Sequence, residues 1–183
     1  MPFFSFLGRA ASMLDLWKRR RERMLWLSKY TEDVMRGESP LSPGQREMIA
    51  AMVSGLNGCA YCYSSHAAFA GAYGIGEDAI GALVEDPNAA EDDAMRPLLA
   101  FCRKLTQTPD KIGEADAQAV FNAGWPEEAL EDAIHVTSLF NLYNRLMDGH
   151  GIGAREEKAL RGRARFIKEH GYDFSTYPKE MQP

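Results

Sequence analysis

The chain has 183 residues, 45% hydrophobic and 26% charged, with a formal net charge of −5 and three cysteines. That is enough chain for one domain, or two small lobes, to close a core without disulfides or structural metal, and no apolar run nears the roughly 18 residues a membrane span needs. Residues 1–30 carry seven Lys or Arg against two acids and residues 77–132 fourteen acids against four bases, a balance that argues against nucleic acid as a partner of the body.

The opening MPFFSFLGRAASMLDLWKRRRERM places its positive charge after its apolar patch, the reverse of a secretory leader, so a cytoplasmic, reducing compartment is expected. Periodicity predicts a helix over 11–36. At 100° per residue Lys18, Arg19, Arg20, Arg21 and Arg23 spread round it, which reads as a solvated helix bridging to the body rather than a membrane face. Ser42-Pro43 with Gln45 supplies an N-cap, a first-turn proline and a capping box for a helix over 43–56. There Met48, Ile49, Met52, Val53 and Leu56 form the apolar side, while Glu47 borders the small residues Ala50, Ala51 and Ser54, where another backbone can approach. A carboxylate at such a contact is expected to be partly buried and to need a partner.

Asn57-Gly58 is a stop signal, so the next helix, over 59–73, begins at or beside Cys59, where unpaired N–H groups and the helix dipole favour a thiolate. On an ideal helix Cys59, Cys62 and His66 lie at about 0°, 300° and 340°, within one arc of roughly 60°. Further helices are expected over 77–84, 91–107, 114–123, 126–148 and 154–170, followed by a loose tail, with stops at Gly74, Gly76, Gly124, Gly149 and Gly151. Period-two segments bounded by hairpin turns are missing, so the fold class is all-α. The expected divisions are a helical arm over 1–37, a helical domain over 38–155 holding the cysteine pair, and a C-terminal helix and tail over 156–183. Shifting the chain by 84 residues aligns Glu47, Ser54, Asn57 and His66 with Glu131, Ser138, Asn141 and His150, which allows a duplicated helical unit.

Together Cys59, Cys62, His66 and Glu47 supply a nucleophile, its resolving partner, a proton shuttle and a base. Two other readings stay open. A Cys-x-x-Cys pair plus histidine can bind zinc, although a closed site needs a fourth ligand and no second pair exists; or the thiols simply pack. Cys102 falls in the apolar run Met95, Leu98, Leu99, Cys102, Leu105, where a buried inert thiol is expected. His135 is expected at the edge of the redox pocket or as an interhelix histidine. Asn141, Asn144, Arg145 and Asp148 form a polar stripe better suited to buried hydrogen bonding or a subunit contact than to catalysis.

The spacing Glu-x11-Cys-x2-Cys-x3-His, with Leu41-Ser42-Pro43 before it, SGLNGCAYC at 54–62 and Asn144-Arg145-Leu146-Met147-Asp148-Gly149 after it, resembles the AhpD-like alkylhydroperoxidases of the carboxymuconolactone decarboxylase superfamily, in particular the peroxidase-related branch. The likeness covers roughly residues 28–155. It implies an AhpD-like helical bundle and a thiol peroxidase in which Cys62 attacks the peroxide, Cys59 resolves the sulfenic acid, and His66 and Glu47 relay the proton. It also implies no cofactor and no metal, a dithiol electron donor of lipoyl or thioredoxin type, and a homo-oligomer, often a trimer or hexamer. Tyr61, expected at the pocket, stands where the best-known members carry a second histidine.

Overall fold

A computed structural model describes residues 1–182. Among them are nine α-helices and no strand, in line with the all-α expectation: α1 (Met13–Arg19), α2 (Arg21–Arg36), α3 (Pro43–Leu56), α4 (Ala60–Gly71), α5 (Glu77–Glu85), α6 (Met95–Gln107), α7 (Glu114–Asn122), α8 (Glu127–Gly149) and α9 (Glu157–His170). None of these helices is long and apolar enough to cross a membrane.

At the centre lies α3. Ser42 and Gln45 start it with reciprocal bonds, Ser42 N to Gln45 Oε1 at 2.8 Å and Gln45 N to Ser42 Oγ at 3.3 Å. It packs on α4, α5, α6 and α8, and every residue from Arg46 to Ser54 is buried. It is therefore a helix enclosed on nearly all sides, which buries Glu47 completely where partial burial was expected, and Ala50, Ala51 and Ser54 give its neighbours room to close in. Gly58, at φ +70°, turns the chain back so that α4 returns along α3 and presents its other flank to α9.

Three expectations need correction. The helix over 11–36 is two, parted at Arg20 (φ −132°, ψ 54°). The bend brings Trp17 of α1 and Met24 of α2 into a small second core with Phe174 and Tyr177. The tail from Gly171 to Tyr177 is consequently packed, not loose. Gly171 ends α9 at φ +69°, the Glu32 carboxylate receives the backbone N–H groups of Tyr172 and Asp173, and Tyr177 Oη donates to Gly171 O at 2.9 Å. The third correction concerns duplication: α8 runs unbroken where a second copy would need the α3–α4 break, because Leu142 occupies the place of Gly58. Of the aligned residues, Asn57 and Asn141 do meet, through a hydrogen bond of 3.2 Å, but across the bundle rather than as equivalents in two lobes.

Candidate functional site

The carboxylate of Glu47 is wholly enclosed, at 0% exposure, and three donors converge on it. Arg36 Nη2 lies 2.5 Å and Tyr172 Oη 2.7 Å from Oε1, and His66 Nδ1 lies 2.7 Å from Oε2. Burial pushes the carboxyl up, but the hydrogen bonds and charges of His66 and Arg36 outweigh it and hold Glu47 below the usual carboxylate range. An ionised carboxylate only accepts, so the His66 proton on this side sits on Nδ1 and Nε2 is left for the cavity that His66 lines. The imidazole is further fixed by edge contacts to Phe69 and Phe140, with centroids 5.0 and 4.3 Å away.

Cys59 is the N-cap of α4, in extended backbone (φ −78°, ψ 94°), and Cys62 lies in the first turn. Because Cys59 precedes the helix, it does not follow the helical spacing that sets Cys62 and His66 on one face. Cys62 and His66 share a cavity of about 70 Å³, whereas Cys59 borders a separate depression beside Gly55, Gly58 and Tyr63. The expectation that all three side chains point one way holds for two of them. The two thiols still influence each other: the Cys62 side chain and backbone N–H draw the Cys59 thiol down, against burial and the Asp148 carboxylate. Cys62 moves the opposite way, pushed up by the Cys59 side chain, by burial and by the charge on Cys59, with only the Asn144 amide favouring its thiolate. An attacking Cys62 thus needs a base, and the His66 ring opens on the same space.

Tyr61 also lines this cavity, its hydroxyl accepting the Met13 N–H at 3.1 Å. His135 does not. It is exposed on the outer flank of α8 and pairs with Tyr30 Oη at 2.7 Å, because its position on α8 faces α2 and solvent. Cys102 is fully buried on α6, which pushes its thiol up to about 11 and leaves it inert. Among the described residues no group of three or more His, Cys, Asp or Glu is placed to hold a metal ion, so Cys59, Cys62 and His66 do not form a zinc-ligand set.

Sequence reasoning missed two residues of this arrangement. Arg36 closes α2 and reaches Glu47 across the following loop, and Tyr172 arrives from the tail. Neither lies within a helical repeat of the motif; the aromatic run Tyr172, Phe174, Tyr177 was the available hint that the tail packs. Of the polar stripe on α8 only Asn144 is buried, donating from Nδ2 to Ser54 Oγ at 2.9 Å and accepting from Asn57 Nδ2 at 2.8 Å; Arg145 and Asp148 are exposed.

The fold is an all-α bundle in which a buried Glu–His couple stands behind a Cys-x-x-Cys turn. Residues 22–92 match the family model described as the carboxymuconolactone decarboxylase family. Among solved structures, an uncharacterized peroxidase-related protein from Silicibacter sp. TM1040 is 29% identical, with 84% of this chain and 80% of that chain covered at a TM-score of 0.74. An alkylhydroperoxidase AhpD core, an uncharacterized peroxidase-related protein from Ralstonia eutropha JMP134, is 26% identical, with 81% and 78% covered at a TM-score of 0.72. No curated protein matches in sequence. Residues 22–92 thus carry the carboxymuconolactone decarboxylase family pattern, within a helical fold shared with these two peroxidase-related proteins.

Proposed function

We propose that the protein is a thiol-dependent peroxidase that reduces small organic hydroperoxides or hydrogen peroxide through Cys62 and Cys59. The observation that carries this reading is the line from Arg36 and Tyr172 through Glu47 to His66, which opens on the cavity that Cys62 also lines. His66 Nε2 takes the Cys62 proton, directly or through a water, while Glu47 holds the ring and stabilises the imidazolium that forms. The thiolate attacks the outer peroxide oxygen: an S–O bond forms, the O–O bond breaks, and the alkoxide leaving group takes the proton back from His66. Cys62 is now a sulfenic acid and the products include the alcohol, or water from hydrogen peroxide. The Cys59 sulfur, three residues away at the start of the helix and the more acidic thiol, displaces the hydroxyl as water and closes the disulfide. An external dithiol, of lipoyl or thioredoxin type, returns two electrons and two protons.

Space is consistent with a small substrate: a water needs about 10–15 Å³, so the cavity of about 70 Å³ has room for hydrogen peroxide or the head of an organic hydroperoxide. The same reading takes the chain as cytoplasmic and as a homo-oligomer, trimeric or hexameric, with no nucleic-acid or membrane partner. In the test, Cys62→Ser abolishes peroxide consumption with every dithiol donor, whereas Cys59→Ser consumes one equivalent and stops with a sulfenic acid that dimedone traps. Turnover that persists in both variants ends the reading.

A further inference from the structure

Resting on the reading of Cys62 as the thiol that meets the peroxide, we propose that its cavity takes an organic hydroperoxide bearing a carboxylate, with the Arg155 guanidinium as the anchor for that charge. Of the residues lining the cavity, Arg155 and Arg163 are the charged ones beside His66, and none is Asp or Glu. The carboxylate behind His66, Glu47, is already occupied by three donors. Arg163 is held among aromatic rings, its guanidinium 4.9 Å from the Phe166 centroid, 5.8 Å from that of Tyr177 and 6.0 Å from that of Trp17. Arg155 has no ion-pair partner among the described residues. It is half-buried and borders this cavity and two adjoining surface depressions, which sets it at the mouth.

A half-buried guanidinium that forms no ion pair favours an anion, even with Glu156, Glu157 and Glu77 along the outer depressions, and its planar fork suits a carboxylate. A second, independent observation is a spare donor in the same lining. Trp17, 3% exposed, lines the cavity, and its buried indole N–H has no acceptor. Buried donors normally have partners. The wall between is largely apolar, with Met13, Leu160 and Ile167 among its side chains. Such a lining matches a molecule whose peroxide head enters at the Cys62 end while its apolar body leads out to an anionic group at the Arg155 mouth; hydrogen peroxide would leave the apolar wall and the guanidinium unused.

The experiment is calorimetric titration of the full, reduced chain with sodium octanoate and with octanamide, the same body without charge. Octanoate is expected to bind at least about tenfold tighter, the difference a charge-assisted bond to a guanidinium supplies. Arg155→Gln, checked for its fold by circular dichroism, removes that preference, and Arg155→Lys keeps part of it. In the unaltered chain, raised ionic strength weakens octanoate and leaves octanamide unchanged. Equal binding of the two, binding of neither, or a preference that survives Arg155→Gln overturns the proposal. No peroxide is consumed in this measurement, so the two ideas fail separately. Octanoate preference without any turnover removes the peroxidase and leaves the anion site; turnover without the preference does the reverse.

Discussion

A carboxylate with no solvent contact survives in ionised form only when its lone pairs are met, and Glu47 meets them with a guanidinium, a phenol and an imidazole. Replacing Glu47 by Gln keeps the shape but strands the Arg36 charge, whose side chain is 12% exposed, so the variant is expected to lose about 3 kcal/mol at neutral pH. The pH dependence follows from the direction of the Glu47 shift. Its folded carboxyl lies below the ordinary range, so the unfolded chain takes up the proton first as pH falls. The stabilisation is complete above the ordinary carboxylate range and disappears as pH drops through the depressed folded value. Urea unfolding of wild type and Glu47→Gln from pH 7 downward should therefore show a gap that is widest near neutrality and narrows in acid; a gap independent of pH would mean that the charge contributes nothing. Glu47, Cys62 and His66 were legible because the motif runs along two consecutive helices. Arg36 and Tyr172 stand 11 and 125 residues from the carboxylate, and no periodicity links positions so placed.

At the scale of elements, the redox turn is held by α8. Asn144 bonds both Asn57, in the turn before Cys59, and Ser54, in the last turn of α3, and Asn57 reaches Asn141 as well. One helix thus clamps the end of another together with the loop that carries the sulfur. Asn144→Ala removes one hydrogen bond each from Asn57 and the buried Ser54, which keep Asn141 and the Ala50 carbonyl as partners, and is expected to cost about 2 kcal/mol in denaturant unfolding. It also removes the amide that favours a Cys62 thiolate, so alkylation of Cys62 by iodoacetamide, followed by peptide mass, should slow at fixed pH. An unchanged rate would detach Asn144 from the thiol and leave it a purely structural clamp. Helix starts and stops were readable here from Ser42-Pro43, Asn57-Gly58 and Trp125-Pro126, since caps and breakers act locally. The break at Arg20 was not, because no glycine or proline marks it and it follows from tertiary packing of Trp17 and Met24 against Phe174 and Tyr177.

For the whole molecule, the two ends of the chain complete what the middle begins. The family match spans residues 22–92, yet the cavity beside Cys62 is walled by Met13 and Trp17 from one end and by Leu160, Arg163, Ile167 and Tyr172 from the other. Hydropathy alone read residues 171–183 as loose because they are short, polar in part and without helical period. What it could not convey is that Glu32, far away on α2, satisfies their backbone and that Trp17 stacks against Phe174 at 4.7 Å. Ending the chain at His170 would remove Tyr172 from Glu47 and uncover Trp17 and Met24 together. Losing one buried aromatic costs about 3–5 kcal/mol, so the truncated chain is expected to melt at least about 10 °C lower. Its Cys62 should react faster with a bulky disulfide reagent, because one wall of the cavity is gone, while Cys102, sealed within α6, should stay unreactive in whatever fraction remains folded. Equal melting and equal thiol reactivity in the two chains would show that the core holds the relay without its tail. A fall in stability with unchanged Cys62 reactivity would place the opening to solvent elsewhere on the wall, towards Met13 and Arg155.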